Sequence, residues 1–495
     1  MTAGSFGMNY QATVTSSGTT GSNALALMAG LFCLPLAFLG PNVMLGIYSA
    51  LVLSVGMSLL RRPTEPPILM FVFLFQWTQA AMGPLYGNLL GLKLDDLAHN
   101  LGQHDLACFL ELTGVLCLAF GMHLAVGRTD YNIGARIKSF GNNHSLGFWL
   151  RIYIVASLFS TLCATFAYSA GGLQQPLLSL AQIKWAAYIL LTFATFSSLG
   201  KTKSIWIAVT LFEFTLSLGG FFSSFKDIFF YAILGVLGSG FRLRPVGVVL
   251  IGFLAVFLLS LGIIWTSVKA DYRDFINGGN GQQTVSVGYS ERINYLGKLI
   301  GDLDGPALSD GLDEFAHRVM YFEFFGAAIG NVPQNVPHTS GALWGRAALS
   351  SFKPRLIFTD KAPVHDSELT RQYTGIRVTS YEQGTSISMG YMAEAYIDFG
   401  PSLMFVLILM LGGGLGTVHR WLLSRPGRDG VLGAAMSTFT LMQANAIETS
   451  VLKLIPAVLL CVVACLIIYK FIAPLVWGVE RATAVNRSKP RLINA

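Results

Sequence analysis

Charged side chains are scarce in this sequence, and their scarcity excludes most classes of soluble protein. Only 12% of the 495 residues are Asp, Glu, Lys or Arg, whereas 53% are hydrophobic. Ordinary soluble domains carry about 25% charged residues. Apolar runs of roughly 16 to 22 residues recur along the chain, which is the length needed to cross a hydrocarbon core about 30 Å thick. We therefore expect an all-α polytopic membrane protein.

Cysteine is also rare, and its positions exclude a framework of disulfides. All six cysteines fall inside apolar runs and not in loops: Cys33, Cys108, Cys117, Cys163, Cys461 and Cys465. Because they do not lie in loops, they cannot form disulfides between loops even in an oxidising compartment. Cys461 and Cys465 share a helix face, but no nearby histidine or acidic residue completes a metal site with them. The sequence therefore predicts that these cysteines are structural.

About twelve segments are expected to cross the membrane. Their approximate bounds are 24–39, 42–60, 67–86, 107–126, 146–168, 185–199, 204–219, 225–240, 246–266, 401–417, 430–446 and 454–477. The pair at 204–219 and 225–240 is short and could be a hairpin or partly re-entrant. Residues 1–23 contain no charged side chain, so they lack the basic region of a cleaved signal peptide. We expect them to be a cytoplasmic lead.

Every second connection between these segments is basic, which orients the bundle because short loops rich in Lys and Arg stay in the cytoplasm. With twelve spans both termini are cytoplasmic, and the tail 478–495 is basic as well. The charges are spread over separate loops and do not form one patch, so they do not indicate a nucleic-acid partner. The basic residues are Arg61, Arg62, Arg128, Arg136, Lys138, Lys201, Lys203, Arg242, Arg244, Arg420, Arg425, Arg428, Arg481, Arg487, Lys489 and Arg491.

One connection, 267–400, is far longer than the others and is expected on the outer face. It contains stretches with helical apolar spacing at 291–303 and 313–329, so it should fold back onto the membrane surface. Its second half is basic, although positive-inside topology cannot explain basic residues on this side, and a bound anion is the natural account. A solvated surface is the alternative. The basic residues are Arg346, Lys353, Arg355, Lys361, Arg371 and Arg377.

Two acidic pairs on the outer side are candidate metal ligands. Asp302 and Asp304 have the spacing of a metal-binding pair, but we expect no metal there, and Asp95 and Asp96, with His99 and His104, are expected to be a solvated loop. The sequence therefore predicts no metal site.

A lysine at the start of the eighth span is a candidate ligand for phosphate. Lys226 and Asp227 lie at the outer membrane level, where the lysine could reach a lipid-linked phosphate. A local pair that snorkels to the interface is the alternative.

Three segments carry a resemblance to a known family. They are HRVMYFEFFGAAIGNVPQNVP at 317–337, FKPRLIFTDK at 352–361 and SISMGYMAEAYIDFG at 386–400. In order and spacing they resemble bacterial Wzy-type O-antigen and exopolysaccharide polymerases. The chain departs from the family pattern at Phe358, where tryptophan is usual, at Ala362, which separates Lys361 from the following proline, and at Ala393, where glycine is common.

The resemblance implies an inner-membrane glycosyltransferase similar in fold to the lipid-dependent GT-C enzymes. It would join repeat units carried on undecaprenyl diphosphate at the periplasmic face, for O-antigen, capsule or exopolysaccharide, without a cofactor. A chain-length regulator and a flippase are the possible protein partners. Fixed basic donors would stabilise the diphosphate that leaves: Lys226, Arg318, Arg355, Lys361 and Arg371.

The remaining site residues are a base and two aromatic side chains. Glu394 is the first choice for the base that activates the acceptor hydroxyl, with His365 or Asp366 as the second choice. Tyr321 and Tyr373 are candidates for stacking on sugar rings, although aromatic packing is the commoner role.

Two other functions remain open from the sequence. A ligase of similar architecture would move a finished glycan to an acceptor through the same basic site. A transporter or flippase would be expected to carry charges along a central path through many spans, whereas here they concentrate in one outer loop.

The orientation can be tested with reporter fusions. A reporter inserted within 277–283 should be periplasmic, and one placed after Arg425 should be cytoplasmic, because basic clusters mark the inner loops. Alkaline phosphatase and green fluorescent protein fusions measure the two sides independently. A cytoplasmic readout at 277–283 would contradict the predicted position of the long loop.

Overall fold

The computed structural model describes residues 17–143, 145–167, 170, 173–197, 203–218, 225–240, 245–279, 286–351, 366–378 and 386–478. Helices account for most of these residues, and no strand occurs among them. Twenty α-helices are described, which we number α1 to α20 in chain order. The predicted all-α class is therefore confirmed.

Eight helical segments are long and apolar enough to cross a membrane. They are Val43–Leu60 (α2), Ile68–Leu90 (α3), His104–Val126 (α5), Leu146–Ala167 (α7), Pro176–Phe196 (in α8 and α9), Gly252–Asn277 (in α12), Gly390–Leu423 (α18) and Val451–Gly478, which begins with α20 (Val451–Ile467). Their length and composition indicate a membrane-embedded protein.

The other four predicted spans are also helical, but their described helices are not both long and apolar enough to count as candidate membrane-spanning helices. Two carry apolar segments of only Ala26–Ala37 and Ser204–Ser217. The four helices are α1 (Ser17–Ala37), α10 (Ser204–Leu218), α11 (Phe225–Gly238) and α19 (Gly427–Leu441). Twelve crossings therefore stay a prediction.

Shorter helices make up most of the remainder. Three lie in the first half of the chain: α4 (Leu94–Leu97), α6 (Ile133–Asn143) and α8 (Gln174–Ala181), the last followed at once by α9 (Ile183–Phe196). Five lie in the long connection: α13 (Tyr289–Gly301), α14 (Gly305–Val319), α15 (Phe322–Asn331), α16 (Ala342–Ser351) and α17 (Asp366–Thr374). The amphipathic stretch predicted at 313–329 is therefore two helices, α14 and α15, which are separated at Met320 and Tyr321.

The long connection is shorter than the sequence suggests, because helices extend into it from both ends. Helix α12 (Pro245–Asn277) continues past residue 266, and α18 begins at Gly390. Helix α18 bends at Gly400, which has φ 73° and precedes Pro401. The apolar run starts only after this bend, so hydropathy misses the first part of the helix. Glu394, which was expected at the end of a loop, lies inside a helix.

Helices α14 and α15 pack against the membrane-spanning helices near one end of the bundle. Ser267 Oγ of α12 donates to the carbonyl oxygen of Ala307 in α14 at 3.2 Å, and the amide of Gln103 donates to the carbonyl oxygen of Gly326 in α15 at 3.0 Å. Asp304, one of the acidic pair weighed for metal binding, accepts from the amide of Ala307 at 2.9 Å and so caps α14. The connection therefore docks on the bundle, whereas its folding back onto the membrane surface stays a prediction.

Helices α5 and α18 approach each other closely through glycines. A Cβ atom at Gly412 would lie 2.3 Å from the carbonyl oxygen of Leu118, and one at Gly121 would lie 2.3 Å from that of Leu409. At Gly413, the next residue, a Cβ atom would meet nothing within 4 Å. Small residues at helix contacts let backbones approach inside a membrane, so one face of α18 depends on glycine.

This contact predicts opposite effects for two neighbouring substitutions. Gly412→Ala should lower the thermal stability of the detergent-solubilised protein, since overpacking costs about 1 to 3 kcal/mol. Gly413→Ala should leave stability unchanged or raise it slightly, because alanine favours helix by up to ~1 kcal/mol. Thermal unfolding followed by size-exclusion chromatography measures both, and equal melting temperatures would contradict the α5–α18 contact.

Candidate functional site

A short non-helical loop between α19 and α20 is largely buried at the end of the bundle where α18 begins. After the 3-10 turn Met442–Ala444 the chain is not helical again until α20 starts. On α3, Gln76 Nε2 donates to the carbonyl oxygen of Ala444 at 2.8 Å, and Gln79 Oε1 accepts from the amide of Ile447 at 2.8 Å. Backbone groups removed from water need such partners. The two glutamines therefore fix the course of this loop.

Glu394 lies in the first turns of α18 and faces the start of α20. Only 2% of its surface is exposed, and the amide of Val451 donates to its Oε2 atom at 2.7 Å. The first amides of a helix have no partner within the helix, and the positive end of the helix dipole favours a negative charge. The buried carboxylate is therefore held at a helix N-terminus.

A glycine allows the loop, α18 and a tyrosine to meet beside this carboxylate. Gly390 has φ 84°, a conformation that disfavours other residues. A Cβ atom there would lie 2.5 Å from the carbonyl oxygen of Ile447 and 3.2 Å from Cε1 of Tyr321. This approach brings Tyr321 towards Glu394.

Asp366 and Lys453 form an ion pair next to Glu394. Lys453 Nζ contacts Asp366 Oδ2 and also donates to Ser386 Oγ at 3.0 Å, while Ser386 Oγ lies 3.2 Å from the same carboxylate oxygen. The Asp366 side chain is 1% exposed and that of Lys453 is 44% exposed. Asp366 Oδ1 is buried without a hydrogen-bond partner within the described ranges. Among those residues one oxygen of Asp366 is therefore an unused hydrogen-bond acceptor.

Tyr321 lies among the carboxylates of this site. Burial, followed by the negative charges of Glu448, Glu394 and Asp366, raises the pKa of its phenol well above the ordinary value. The phenol therefore keeps its proton and can donate a hydrogen bond. Its ring lies 5.4 Å from that of Phe324, so aromatic packing holds it in place.

A second carboxylate on α18 has a structural role. Asp398 accepts from the amides of Leu343 and Trp344 at 3.0 and 2.9 Å and from the hydroxyl of Thr339. It therefore holds the start of α16. Glu394, by contrast, accepts from one amide within the described part of the chain. The two acidic residues of one helix thus differ in how fully their oxygens are used.

Among the predicted residues that the structure describes, it brings Glu394, Asp366 and Tyr321 together. Arg318 is exposed on α14 and interacts electrostatically with Lys269 and Arg273 of α12. Arg371 is exposed in the last turn of α17. The predicted residues His365, Arg355 and Lys361 lie outside the described residues.

The structure shows where two further predicted residues lie but does not test their roles. Tyr373 is buried, and its backbone carbonyl accepts from Asn331 Nδ2 at 2.9 Å. Lys226 is exposed at the start of α11, where it interacts with Asp227, and Asp227 also interacts with Lys184. Stacking by Tyr373 and phosphate binding by Lys226 stay predictions.

Sequence reasoning missed two charged residues of the site. Lys453 pairs with Asp366, and Glu448 accepts a hydrogen bond from Gln79 Nε2. Both stand between the apolar runs 430–446 and 454–477 in a connection that was expected on the outer side. Two charges so close to a membrane boundary were the available signal.

The described cluster has the chemistry of proton transfer more than that of anion binding. The negative charges of Glu394, Asp366 and Glu448 act on Tyr321, and Lys453 is the cation that pairs with Asp366. Such a surplus of carboxylates favours a hydroxyl group over a diphosphate. The residues that could hold a metal ion, within the ranges described, lie outside this cluster.

The site lies in a region that matches a known protein family. A family described as a domain of unknown function (DUF8712) matches residues 135–428, more than half of the chain. The chain belongs to this family. The DUF8712 region contains Tyr321, Asp366 and Glu394 and ends before Glu448 and Lys453. No curated protein and no solved structure matches the chain significantly.

The ion pair predicts a stability cycle. Lys453→Met leaves the buried carboxylate of Asp366 without its cation and should destabilise the protein by at least about 1 to 3 kcal/mol. Adding Asp366→Asn to this variant should restore part of the loss, because a neutral amide needs no counter-ion. Lys470→Met, at an exposed lysine beyond the end of α20, is the control. Additive effects in thermal unfolding would contradict the pairing.

Proposed function

We propose that the protein polymerises lipid-linked oligosaccharide repeat units at the periplasmic face of the bacterial inner membrane. The donor and the acceptor are glycans on undecaprenyl diphosphate, and the architecture is GT-C-like with twelve spans and both termini in the cytoplasm. A chain-length regulator and a flippase are the proposed partners. The motifs of 317–400 and the eight long apolar helices support this proposal.

The observation that carries the proposal is the placement of Glu394. Its carboxylate is buried at the N-terminus of α20, beside the Asp366–Lys453 pair and Tyr321. Ionisable groups inside a membrane-embedded bundle cost free energy, and they commonly mark a functional site. In the proposal, a lipid-linked glycan reaches a site at that end of the bundle while its lipid stays in the membrane.

In the proposed reaction Glu394 is the general base. The acceptor hydroxyl gives its proton to the Glu394 carboxylate while its oxygen attacks the anomeric carbon of the donor glycan. A new C–O bond forms, the bond from that carbon to the diphosphate breaks, and undecaprenyl diphosphate leaves. A positioned base typically contributes 10²- to 10⁴-fold. Tyr321 and Lys453 orient the acceptor and limit the repulsion between neighbouring carboxylates.

The charge that develops on the leaving diphosphate needs cationic donors. The carboxylates around Tyr321 do not supply them, so the proposal assigns this role to Arg355 and Lys361 of the family-like motif, with Arg318, Arg371 and Lys226 as further candidates. Arginine suits the role because its planar fork binds two phosphate oxygens. The proposed reaction uses no cofactor and no metal ion.

Substitution of the proposed base tests the function. Glu394→Gln keeps an acceptor for the Val451 amide but removes the base, so polymer should fall by about 10²- to 10⁴-fold at unchanged membrane abundance. Glu368→Gln, at an exposed glutamate on α17, should keep full activity. Glycan ladders on gels and immunoblots of a tagged protein measure the two quantities.

The glycan profile of the Glu394→Gln strain and of a deletion strain separates the candidate functions. A polymerase defect leaves single repeats attached to the acceptor. Long lipid-linked chains beside an uncapped acceptor would indicate a ligase, and repeats trapped on the inner leaflet would indicate a flippase. Normal polymer from abundant Glu394→Gln protein would remove this residue from the site.

A further inference from the structure

Three potential metal ligands meet at the surface from separate segments of the chain. His99 lies between α4 and α5, His317 in the last turn of α14 and Glu323 in the first turn of α15. Each offers one ligand atom, and these atoms all lie within 4.8 Å of one another. The group lies outside the Glu394 cluster, and the proposed reaction does not use it.

The distances within this group differ from those of ordinary hydrogen bonds. His99 Nδ1 lies 3.7 Å from Glu323 Oε2, and the centroids of the two imidazole rings are 4.1 Å apart. Hydrogen bonds from nitrogen to oxygen measure about 2.7 to 3.2 Å. The three side chains therefore lie close together, and among the described residues they form no hydrogen bond with one another.

Neighbouring side chains orient the group from outside. Asn100 Nδ2 donates to Glu323 Oε1, which leaves Oε2 directed towards His99. Asp313 Oδ2 lies 3.8 Å from His317 Nε2, and its other oxygen accepts from the hydroxyl of Tyr86 at 3.1 Å. Outer partners of this kind fix the orientation of metal-binding carboxylates and histidines.

We propose that His99, His317 and Glu323 bind a divalent transition-metal ion, for which Zn²⁺ is the best match. Imidazole nitrogen and carboxylate oxygen are ligands that Zn²⁺ accepts at about 2.0 to 2.2 Å. Tetrahedral bonds of that length separate the ligand atoms by about 3.4 Å, so small movements of these side chains complete the site. Mg²⁺ and Ca²⁺ prefer oxygen ligands, which disfavours them at a histidine pair.

The bound ion would link elements that also position the candidate site. It would join the connection before α5 to the junction of α14 and α15, and Tyr321 lies within that junction between His317 and Glu323. The ion would thus be a structural metal ion that links these segments, and the proposed reaction does not use it. The inference stands whether or not the protein transfers sugars.

Metal binding by the full-length protein tests this inference. Protein with a Strep tag and no histidine tag, purified in detergent and treated with EDTA, is titrated with ZnCl₂ by calorimetry. We expect one equivalent to bind with a Kd in the micromolar range or tighter and to raise the melting temperature. Co²⁺ should give the visible absorption of a nitrogen and oxygen site without the ultraviolet band of thiolate ligands.

Matched variants locate the site. His99→Ala, at an exposed position, and Glu323→Gln should each weaken Zn²⁺ binding by at least ~10-fold while the melting temperature without metal stays near that of the wild type. His338→Gln and Asp310→Asn, a histidine and an exposed carboxylate outside the group, should bind as the wild type does. No binding by the wild type at micromolar Zn²⁺, or equal binding by His99→Ala, would overturn the proposal.

Discussion

The candidate site depends on one constraint, which is that the backbone between α19 and α20 leaves helical geometry inside the bundle. Its amide and carbonyl groups cannot reach water freely, so side chains must bind them. Gln76 of α3 donates to the carbonyl oxygen of Ala444, and Gln79 of α3 accepts from the amide of Ile447. Glu394 accepts from the first amide of α20. Satisfying this loop therefore brings polar side chains from α3 and α18 into the interior of the bundle.

The same constraint explains why two carboxylates of α18 behave differently. Asp398 accepts from two amides and a hydroxyl and is fully used in holding α16. Glu394 accepts from one amide within the described residues, which leaves an oxygen available to a substrate hydroxyl. Each lies at a helix N-terminus, where negative charge is favoured. A general base needs a carboxylate oxygen that is not already accepting hydrogen bonds. Glu394 is therefore the better candidate for proton transfer.

Hydropathy could predict the helices but not the contacts between distant segments. All twelve expected ranges coincide with helices except for a few described residues at their ends, because a run of apolar residues is a local property. The beginning of α18 was missed because Glu394 and Asp398 interrupt that run before the bend at Gly400. Lys453, and the approach of His99 to His317, depend on pairing across the chain. No spacing within one segment reports such pairing.

Charge balance sets the last requirement on the proposed reaction. Every charge in the described cluster except Lys453 is a carboxylate, and Lys453 is already paired with Asp366. A diphosphate placed there would meet like charge, whereas an acceptor hydroxyl would meet proton acceptors. In the proposed reaction the acceptor hydroxyl and the leaving diphosphate would therefore lie on different sides of the reacting carbon. The acceptor belongs beside Glu394, and the leaving diphosphate belongs beside basic residues that this cluster does not contain, which is the role that the proposal gives to Arg355 and Lys361.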